Sequence, residues 1–318
     1  MENLLACKIC GNTINNNPFL AKELMYGLNR EFNYFECSKC GCLQIESIPT
    51  NIADYYPTDY LSFKRPIFFK KRTAFKSFLK IKVARYYAGS FNILGFILSF
   101  FVANQFPWIK PGIVNLESKI LDVGCGTGKL LLTMQRFGYK NLTGIDPFNQ
   151  KDIFYDNNLS IYKKDLFDLD NKFDLIMLNH SFEHMEFPEK VLLKLSTIVE
   201  KNGCILIRIP LAGSYAWRKY KTNWVQLDAP RHFYLHTVKS MSILAEKSGL
   251  KLDEVKFDST SFQFIGSEKY LRGYKITDKV NIFSKIQLKA FKKEAIQLNS
   301  LNDGDTACFY LYKETSNS

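Results

Sequence analysis

Apolar residues change their spacing several times along the chain, and the changes predict alternating strands and helices in its last two-thirds. A short apolar run at Lys119–Val123 predicts a buried strand. Apolar side chains then recur at helical spacing as far as Gly138, which predicts a helix that ends there. Asn141–Ile145 is again strand-like, so the order is strand, tight turn, helix, strand.

The same alternation continues towards the C-terminus. Pro188 begins a helical pattern that extends to Val199. Asn202 and Gly203 then predict a turn into the next strand. Thr237 is predicted as the N-cap of a later helix. Apolar positions in 261–304 predict one or two helices in an insertion. Alternation of this kind is typical of an α/β fold with a doubly wound, mostly parallel sheet, whose ligands bind at the carboxyl ends of the strands. The further strands are predicted at 159–162, 173–178, 204–209, 251–258 and 307–313.

Three alternating glycines, Gly124, Gly126 and Gly128, follow the first of these strands. Glycine lets the backbone turn sharply and approach a ligand, while the amides of the next helix point at it. Asp146 follows the second strand at the distance where folds of this kind place an acid on ribose hydroxyls. The third glycine of a dinucleotide motif would fall on Lys129. The pattern therefore predicts a ligand that contains ribose and is not a dinucleotide.

The phrases at 121–128 and 144–147 resemble the class I S-adenosylmethionine-dependent methyltransferases, and the resemblance covers roughly the last two-thirds of the chain. It implies a Rossmann-like domain with a seven-stranded sheet, whose last strand inserts antiparallel between strands five and six. It also implies that Asp165 accepts the adenine amino group, although a helix N-cap or a solvated turn explains Asp165 as well. The implied residues for S-adenosyl-L-methionine are Asp122, Gly124, Cys125, Gly126, Gly128, Asp146, Pro147, Asp165, Leu166, Asn179 and His180.

Four of the eight cysteines form two C-x-x-C-G pairs near the N-terminus, separated by a strand-like aromatic stretch. They are Cys7, Cys10, Cys37 and Cys40. Four thiolates in two such pairs predict a tetrahedral Zn²⁺ site, with Cys42 as an alternative to Cys40. Because four thiolates leave no open position, the zinc is expected to be structural, in a zinc-ribbon-like domain over residues 1–50.

A basic and apolar stretch, residues 51–112, links this domain to the methyltransferase-like part at 113–318. Between Asp59 and Glu117 the chain has no acidic residue. The pattern is typical of a segment that lies on a membrane surface or a lipid-linked substrate. We favour a helical arm that packs its apolar face on the catalytic domain, and a transmembrane helix least. The basic residues are Lys64, Arg65, Lys70, Lys71, Arg72, Lys76, Lys80, Lys82 and Arg85.

The 318 residues carry a net charge of +12, which predicts an acidic partner or surface. Nucleic acid is disfavoured as a partner because the sequence has no recognisable module for reading it. The residues from Met1 to Ala6 do not form a signal peptide, and the cysteines do not form a disulfide framework. We therefore expect a cytoplasmic protein, at most peripheral at the inner face of the membrane.

All four histidines, His180, His184, His232 and His236, follow the fourth and fifth strands. Methyl transfer from a sulfonium requires alignment of donor and acceptor and removal of the acceptor's proton. Histidine is the natural base near neutral pH. We predict His184 as the base, His232 as the second choice, and Glu183 or Asp228 as the carboxylate that orients it.

The loop between the histidine pairs is rich in aromatic and polar residues, as expected for binding a saccharide. Each tryptophan taken singly is explained equally well as a buried core residue. The predicted acceptor-binding residues are Tyr215, Trp217, Trp224, Asp228, Arg231 and His236.

These features predict a methyltransferase for a saccharide, nucleotide-activated or lipid-linked, in bacterial surface-glycan synthesis. Some bacterial sugar C-methyltransferases are similar in having a zinc-binding domain before the cofactor domain, although they have a further C-terminal domain that is not found in this sequence. The alternatives are a methyltransferase for RNA or a small aromatic molecule, and a non-catalytic protein that binds S-adenosylmethionine.

Overall fold

The computed structural model describes residues 5–57, 74–155 and 159–314. The strands in these ranges are β1 (Asn17–Lys22), β2 (Glu31–Glu36), β3 (Leu43–Ile45), β4 (Lys119–Val123), β5 (Asn141–Ile145), β6 (Ile153–Tyr155), β7 (Leu159–Tyr162), β8 (Phe173–Asn179), β9 (Val199–Pro210), β10 (Tyr234–Leu235), β11 (Leu250–Phe257) and β12 (Thr306–Lys313). The α-helices are α1 (Ala74–Tyr87), α2 (Ile93–Ser99), α3 (Lys129–Arg136), α4 (Pro188–Ile198), α5 (Tyr215–Tyr220), α6 (Val238–Lys247), α7 (Phe262–Leu271) and α8 (Lys285–Ser300).

The chain divides into two units according to its internal packing. Unit 1 contains residues 1–57, 182–192 and 208–309, and unit 2 contains residues 58–181, 193–207 and 310–318. Each unit therefore draws on segments that are distant in the sequence. The boundaries predicted from composition, at 50 and 112, stay predictions.

The larger sheet has the strand order β11-β12-β9-β8-β4-β5-β7-β6. Its central strands are parallel, with Leu121 of β4 opposite Thr143 of β5 and Ile176 of β8. The predicted α/β class is confirmed, and the last strand lies between the fifth and sixth predicted strands. The predicted number of seven strands was one too few, because the short strand β6 pairs antiparallel with β7.

The largest error in the predicted strand bounds is at the start of β9. The sequence placed Val199 in a helix and a turn at Asn202 and Gly203, but α4 ends at Ile198 and β9 begins at Val199. A Cβ at Gly203 would lie 2.9 Å from the carbonyl oxygen of Asp174. Gly203 therefore permits a close approach to the neighbouring backbone, a role glycine also has inside strands.

The smaller sheet belongs to unit 1 and has the order β1-β2-β3-β10. Its first three strands come from the cysteine-rich N-terminal region, whereas Tyr234 of β10 pairs with Gln44 of β3. The hydroxyl of Tyr34 on β2 also donates to the carbonyl oxygen of His232 at 2.8 Å. Residues of the histidine loop therefore complete the N-terminal sheet.

The described part of the basic arm contains the helices α1 and α2 in unit 2. Helix α1 buries Val83 and Ala84, and Ile81 lies so close to Gly138 that a Cβ there would be 2.8 Å from its Cγ1. The segment around α2 instead exposes its apolar side chains. These are Phe91 (77% exposed), Ile93 (69%), Leu94 (37%), Phe96 (40%), Ile97 (49%), Phe100 (72%) and Phe101 (82%).

The arm's five N-terminal basic residues, Lys64, Arg65, Lys70, Lys71 and Arg72, lie outside the described residues. Among the helices that are described, none is both long enough and apolar enough to cross a bilayer.

Candidate active site and metal centre

The glycine turn after β4 has the conformation that the sequence required. Gly124, Gly126 and Gly128 have φ values of +72°, +54° and +79°. A Cβ at Gly124 would lie 2.6 Å from the Cβ of Ser181, and one at Gly128 would lie 2.5 Å from Cδ1 of Ile161. Side chains at these positions would be both strained and blocked, so only glycine fits.

Two polar side chains that the sequence analysis did not identify hold the glycine turn in place. Asn149 donates from Nδ2 to the carbonyl oxygen of Gly126 at 2.8 Å, and the Tyr155 hydroxyl donates to that of Thr127 at 2.6 Å. Their position shortly after Asp146 is the available signal, but nothing in the residue types distinguishes them from ordinary loop and strand residues.

Asp146 lies at the end of β5 and is buried. Its two oxygens accept hydrogen bonds from the amides of Gly126 at 2.8 Å and Phe148 at 2.9 Å. Burial raises its pKa, although both amides favour the charged form. Since each carboxylate oxygen has two lone pairs, Asp146 can still accept from two ribose hydroxyls. Pro147, beside it, is exposed.

Asp122 lies at the other side of the turn, on β4. It is buried, and burial raises its pKa to about 7, with Asn179 of β8 acting in the opposite direction. Burial also raises the pKa of the Cys125 thiol, which keeps it neutral. His180, immediately after β8, is exposed and has φ +51°.

Asp165 is exposed and accepts from the amide of Phe167 at 2.9 Å, as the N-cap of a 3₁₀ turn at Leu166–Asp168. The N-cap interpretation is therefore confirmed, while a role in binding adenine stays a prediction. Leu166 is buried. Phe148 and Phe167, next to the two acids, are 78% and 49% exposed. Exposed aromatic rings beside hydrogen-bonding groups are suitable for contact with a purine.

The residues of unit 2 are therefore compatible with binding S-adenosylmethionine. The positive φ values of the glycines give the turn its tight bend, and buried Asp146 keeps acceptor capacity for a ribose. The Asp122 carboxyl group, with a pKa of about 7, can be ionised opposite a cationic ligand.

The four cysteines predicted as metal ligands lie together in unit 1, with their sulfur atoms all within 4.8 Å of one another. The Cys7 and Cys40 sulfurs are 3.6 Å apart, and those of Cys10 and Cys37 are 3.5 Å apart. Ligands of a tetrahedral zinc ion at about 2.3 Å would be about 3.8 Å apart, so the group fits the ion. Cys42 stays outside the group, and its thiol donates to the carbonyl oxygen of Leu43 at 3.5 Å.

The two predicted base histidines and both predicted carboxylates form a second cluster in unit 1. Ring nitrogens of His184 and His232 and a carboxylate oxygen of Glu183 lie within 4.8 Å of one another. The Nε2 atom of His232 is 3.9 Å from Glu183 Oε1 and 3.8 Å from Asp228 Oδ2. Glu183 is fully buried and His184 is half-buried.

Backbone carbonyl groups define the tautomer of both histidines. His184 Nδ1 is 2.8 Å from the carbonyl oxygen of Arg231, and His232 Nδ1 is 2.7 Å from that of Gln226. A carbonyl oxygen cannot donate, so both Nδ1 atoms carry a proton, and Nε2 is the nitrogen that has a lone pair when the ring is neutral. Tyr56, which the sequence analysis did not assign to this cluster, places its hydroxyl 3.1 Å from His184 Nδ1.

Charges around the cluster have defined effects. Burial and then His184 lower the pKa of His232 to about 4, so this imidazole is neutral at pH 7. Burial acts to raise the pKa of Asp228, but Arg231 holds it below its ordinary value. Arg231 is itself buried and donates to Glu23 at 2.9 Å and to the carbonyl oxygen of Tyr55 at 3.1 Å.

Most of the predicted acceptor-binding side chains are buried among partners within unit 1. Trp224 is 1% exposed and donates from Nε1 to Asp305 at 2.9 Å, and Trp217 packs against Phe19 with ring centroids 5.4 Å apart. His236 is fully buried, with Nδ1 3.2 Å from the hydroxyl of Ser240. Tyr215 and Asp228 are half-buried. A direct contact between these residues and an acceptor stays a prediction.

Residues 99–255, just under half of the chain, match the family described as a methyltransferase domain. With the α/β fold and the glycine turn, this match supports an S-adenosylmethionine-dependent methyltransferase. This match agrees with the cofactor and the methyltransferase domain that the sequence predicted. The observed central sheet agrees with the predicted fold class.

Parts of the chain are also similar to individual proteins. Human EEF1A lysine methyltransferase 2 is 38% identical over 39 residues, which span 12% of this chain and only 16% of that protein. A methyltransferase structure from Archaeoglobus fulgidus has 18% identity and a TM-score of 0.41, over 62% of this chain and 86% of the other. One from Mesorhizobium loti has 14% identity and a TM-score of 0.42, over 63% and 94%.

Proposed function

We propose that the protein transfers a methyl group from S-adenosylmethionine to a hydroxyl or an acidic carbon of a saccharide in bacterial surface-glycan synthesis. The observation that carries the proposal is the cluster of Glu183, His184, His232 and Asp228, which combines both predicted bases with both predicted carboxylates. Such a cluster suits an acceptor that must lose a proton during transfer. The low pKa of His232 makes it the weaker base and leaves His184 as the first candidate.

The chain's own residues have separate tasks in this proposal. Asp146 binds the ribose of the cofactor, and the tight glycine turn lets the backbone approach the donor. S-adenosylmethionine supplies the electrophilic methyl group. The carbonyl oxygens of Arg231 and Gln226 hold the two imidazoles in orientation through their Nδ1–H groups. Glu183 and Asp228 lie near Nε2 of His232, where their negative charge favours the protonated ring.

We propose a structural Zn²⁺ ion for the cluster of Cys7, Cys10, Cys37 and Cys40. The support is the four-sulfur geometry and the amide groups of Cys10 and Cys40, which lie 3.5 Å from Cys7 and Cys37 sulfurs respectively. Four thiolates complete the tetrahedron, so the ion contributes to folding and not to the reaction.

We further propose that the acceptor is membrane-associated, as a lipid-linked glycan intermediate would be. The exposed apolar side chains at 91–101 support this, because a soluble surface seldom shows seven of them in eleven positions. Their neighbours in the acid-free stretch carry positive charge, which attracts anionic headgroups.

The deciding experiment is turnover of labelled S-adenosylmethionine with three acceptor pools: sugar nucleotides with lipid-linked glycans, RNA, and proteins. We expect label in the first pool, lost at least about 100-fold in His184→Ala, since general acid–base groups contribute about 10²–10⁴. Glu186→Gln is the matched control, because Glu186 is exposed and lies two residues away. Label in RNA or protein alone would refute the saccharide proposal.

A further inference from the structure

The cluster of Glu183, His184 and His232 has the composition and the geometry of a metal site that is separate from the four cysteines. One ligand atom from each residue lies within 4.8 Å of the others. Two imidazole nitrogens and one carboxylate oxygen are a donor set that binds divalent first-row metals and leaves coordination positions open. We propose that these three residues bind a divalent transition-metal ion such as Mn²⁺, Fe²⁺ or Zn²⁺.

The hydrogen bonds of the histidines support this proposal independently of their spacing. Each Nδ1–H group is directed at a backbone carbonyl oxygen, that of Arg231 for His184 and that of Gln226 for His232. Histidine ligands of metals usually donate the other ring N–H to a carbonyl or carboxylate, which sets the tautomer and the ring orientation. In the neutral rings, Nε2 is therefore the nitrogen available to an ion.

The carboxylates around the site complete the argument. Glu183 is fully buried, and its Oε1 lies 3.9 Å from His232 Nε2. Both groups are buried, so an ion bound between them would be held by a carboxylate and an imidazole away from bulk water. Asp228, with Oδ2 3.8 Å from the same nitrogen, is in position to bind the ion directly or through a water molecule.

The proposal rests on the proposed function in one respect: the ligand that would occupy the open coordination positions is the acceptor of the methyl group. An acceptor hydroxyl oxygen that binds there becomes more acidic, as metal-bound water does. Its proton leaves to solvent water, the oxygen forms a bond to the methyl carbon, and the carbon–sulfur bond breaks with its electrons remaining on S-adenosylhomocysteine. In this case the ion replaces His184 as the group that activates the acceptor, and both histidines are ligands.

Titration of the purified full-length protein with Mn²⁺, followed by electron paramagnetic resonance of the free ion, tests the site. Mn²⁺ is chosen because oxygen and nitrogen ligands bind it and four thiolates do not favour it. We expect about one bound equivalent in the wild type and a loss of affinity above about 100-fold in Glu183→Gln and His184→Ala, because even outer-shell changes cost about 10–100-fold. The control Glu186→Gln should bind as the wild type does.

Absence of Mn²⁺ binding to the wild type, or unchanged binding to the two ligand variants, would overturn the metal site. Zinc content of the cysteine cluster and a thermal melt show whether a variant has folded. If a ligand variant has not folded, the decision for or against the metal site rests on the Mn²⁺ titration of the wild type. Activity distinguishes this inference from the proposed function: turnover that chelation abolishes and Mn²⁺ restores supports the ion. Saccharide methylation that withstands chelation, in protein that binds no Mn²⁺, keeps the function and refutes the metal.

Discussion

At the scale of single residues, Asp122 links cofactor binding to pH. Its pKa of about 7, raised by burial, means that the carboxyl is mostly protonated at pH 6 and mostly ionised at pH 8. Because this folded-state pKa lies above the ordinary value, ionisation costs unit 2 stability as the pH rises through 7. A cationic ligand offsets this cost.

S-adenosylmethionine carries a sulfonium and an ammonium group, so we expect it to bind more tightly as Asp122 ionises. The dissociation constant should fall by up to about tenfold between pH 6 and pH 8, equivalent to one unit of pKa or about 1.4 kcal/mol. Calorimetric titrations across this range, with Asp122→Asn beside the wild type, measure the effect. The variant should show a flat profile, and an equal slope in both proteins would exclude Asp122 as the source.

At the scale of elements, α2 and the residues around it differ from the arm that we favoured from the sequence. Helix α1 packs as expected on α3's C-terminal end, where Lys80 also lies over the ring of Phe137 at 4.5 Å. The next segment leaves Phe100 and Phe101 mostly exposed. Periodicity alone predicts that these residues are apolar, but it does not reveal whether protein covers them.

Replacement of both aromatic residues tests the membrane contact. Phe100→Ser with Phe101→Ser should reduce flotation with anionic liposomes at least about tenfold, because each buried phenylalanine contributes about 1.5–3 kcal/mol. The matched control is Ile286→Ser with Ile296→Ser on α8, whose side chains are 81% and 61% exposed. Equal flotation of both double variants, or none by the wild type, would remove the case for this surface.

Much of the fold was predictable because strands and helices leave local patterns. Asn141–Ile145 and Leu159–Tyr162 have the predicted bounds, and Thr237 is the N-cap of α6 as expected. The misplaced start of β9 arose because Gly203 serves a contact with β8, which no local pattern encodes. For the same reason the partners Asn149, Tyr155 and Tyr56 escaped notice, since their roles depend on residues far away in the sequence.

At the scale of the whole molecule, unit 1 joins the cysteine cluster to the histidine loop. The hydroxyl of Thr237 donates to the carbonyl oxygen of Cys40 at 2.6 Å, and Lys239 Nζ donates to that of Lys39 at 2.6 Å. Together with the bond from Tyr34 to His232, these contacts position the loop relative to the N-terminal sheet. Loss of the proposed zinc ion should therefore affect the histidine cluster as well as the cysteines.

Cys37→Ser should lose the zinc ion, lower the melting temperature and reduce turnover, because structural zinc sites contribute about 10 kcal/mol or more of apparent binding free energy. Zinc analysis, a thermal melt and a turnover assay give the three readouts. Cys42→Ser is the control, since Cys42 is buried nearby but stands apart from the four sulfurs. If Cys42→Ser released the ion and Cys40→Ser retained it, the ligand set would have to include Cys42 in place of Cys40.

The two-residue strand β10, which borders the N-terminal sheet, has a consequence for how such a chain diversifies. An exchange of the first fifty residues by recombination would remove β3, to which β10 pairs, and the partner of the His232 carbonyl group. Recombinants would therefore need a compatible ribbon and loop from the same parent. The fold of the histidine loop should therefore depend on both segments together, so that the two are exchanged successfully only as a pair.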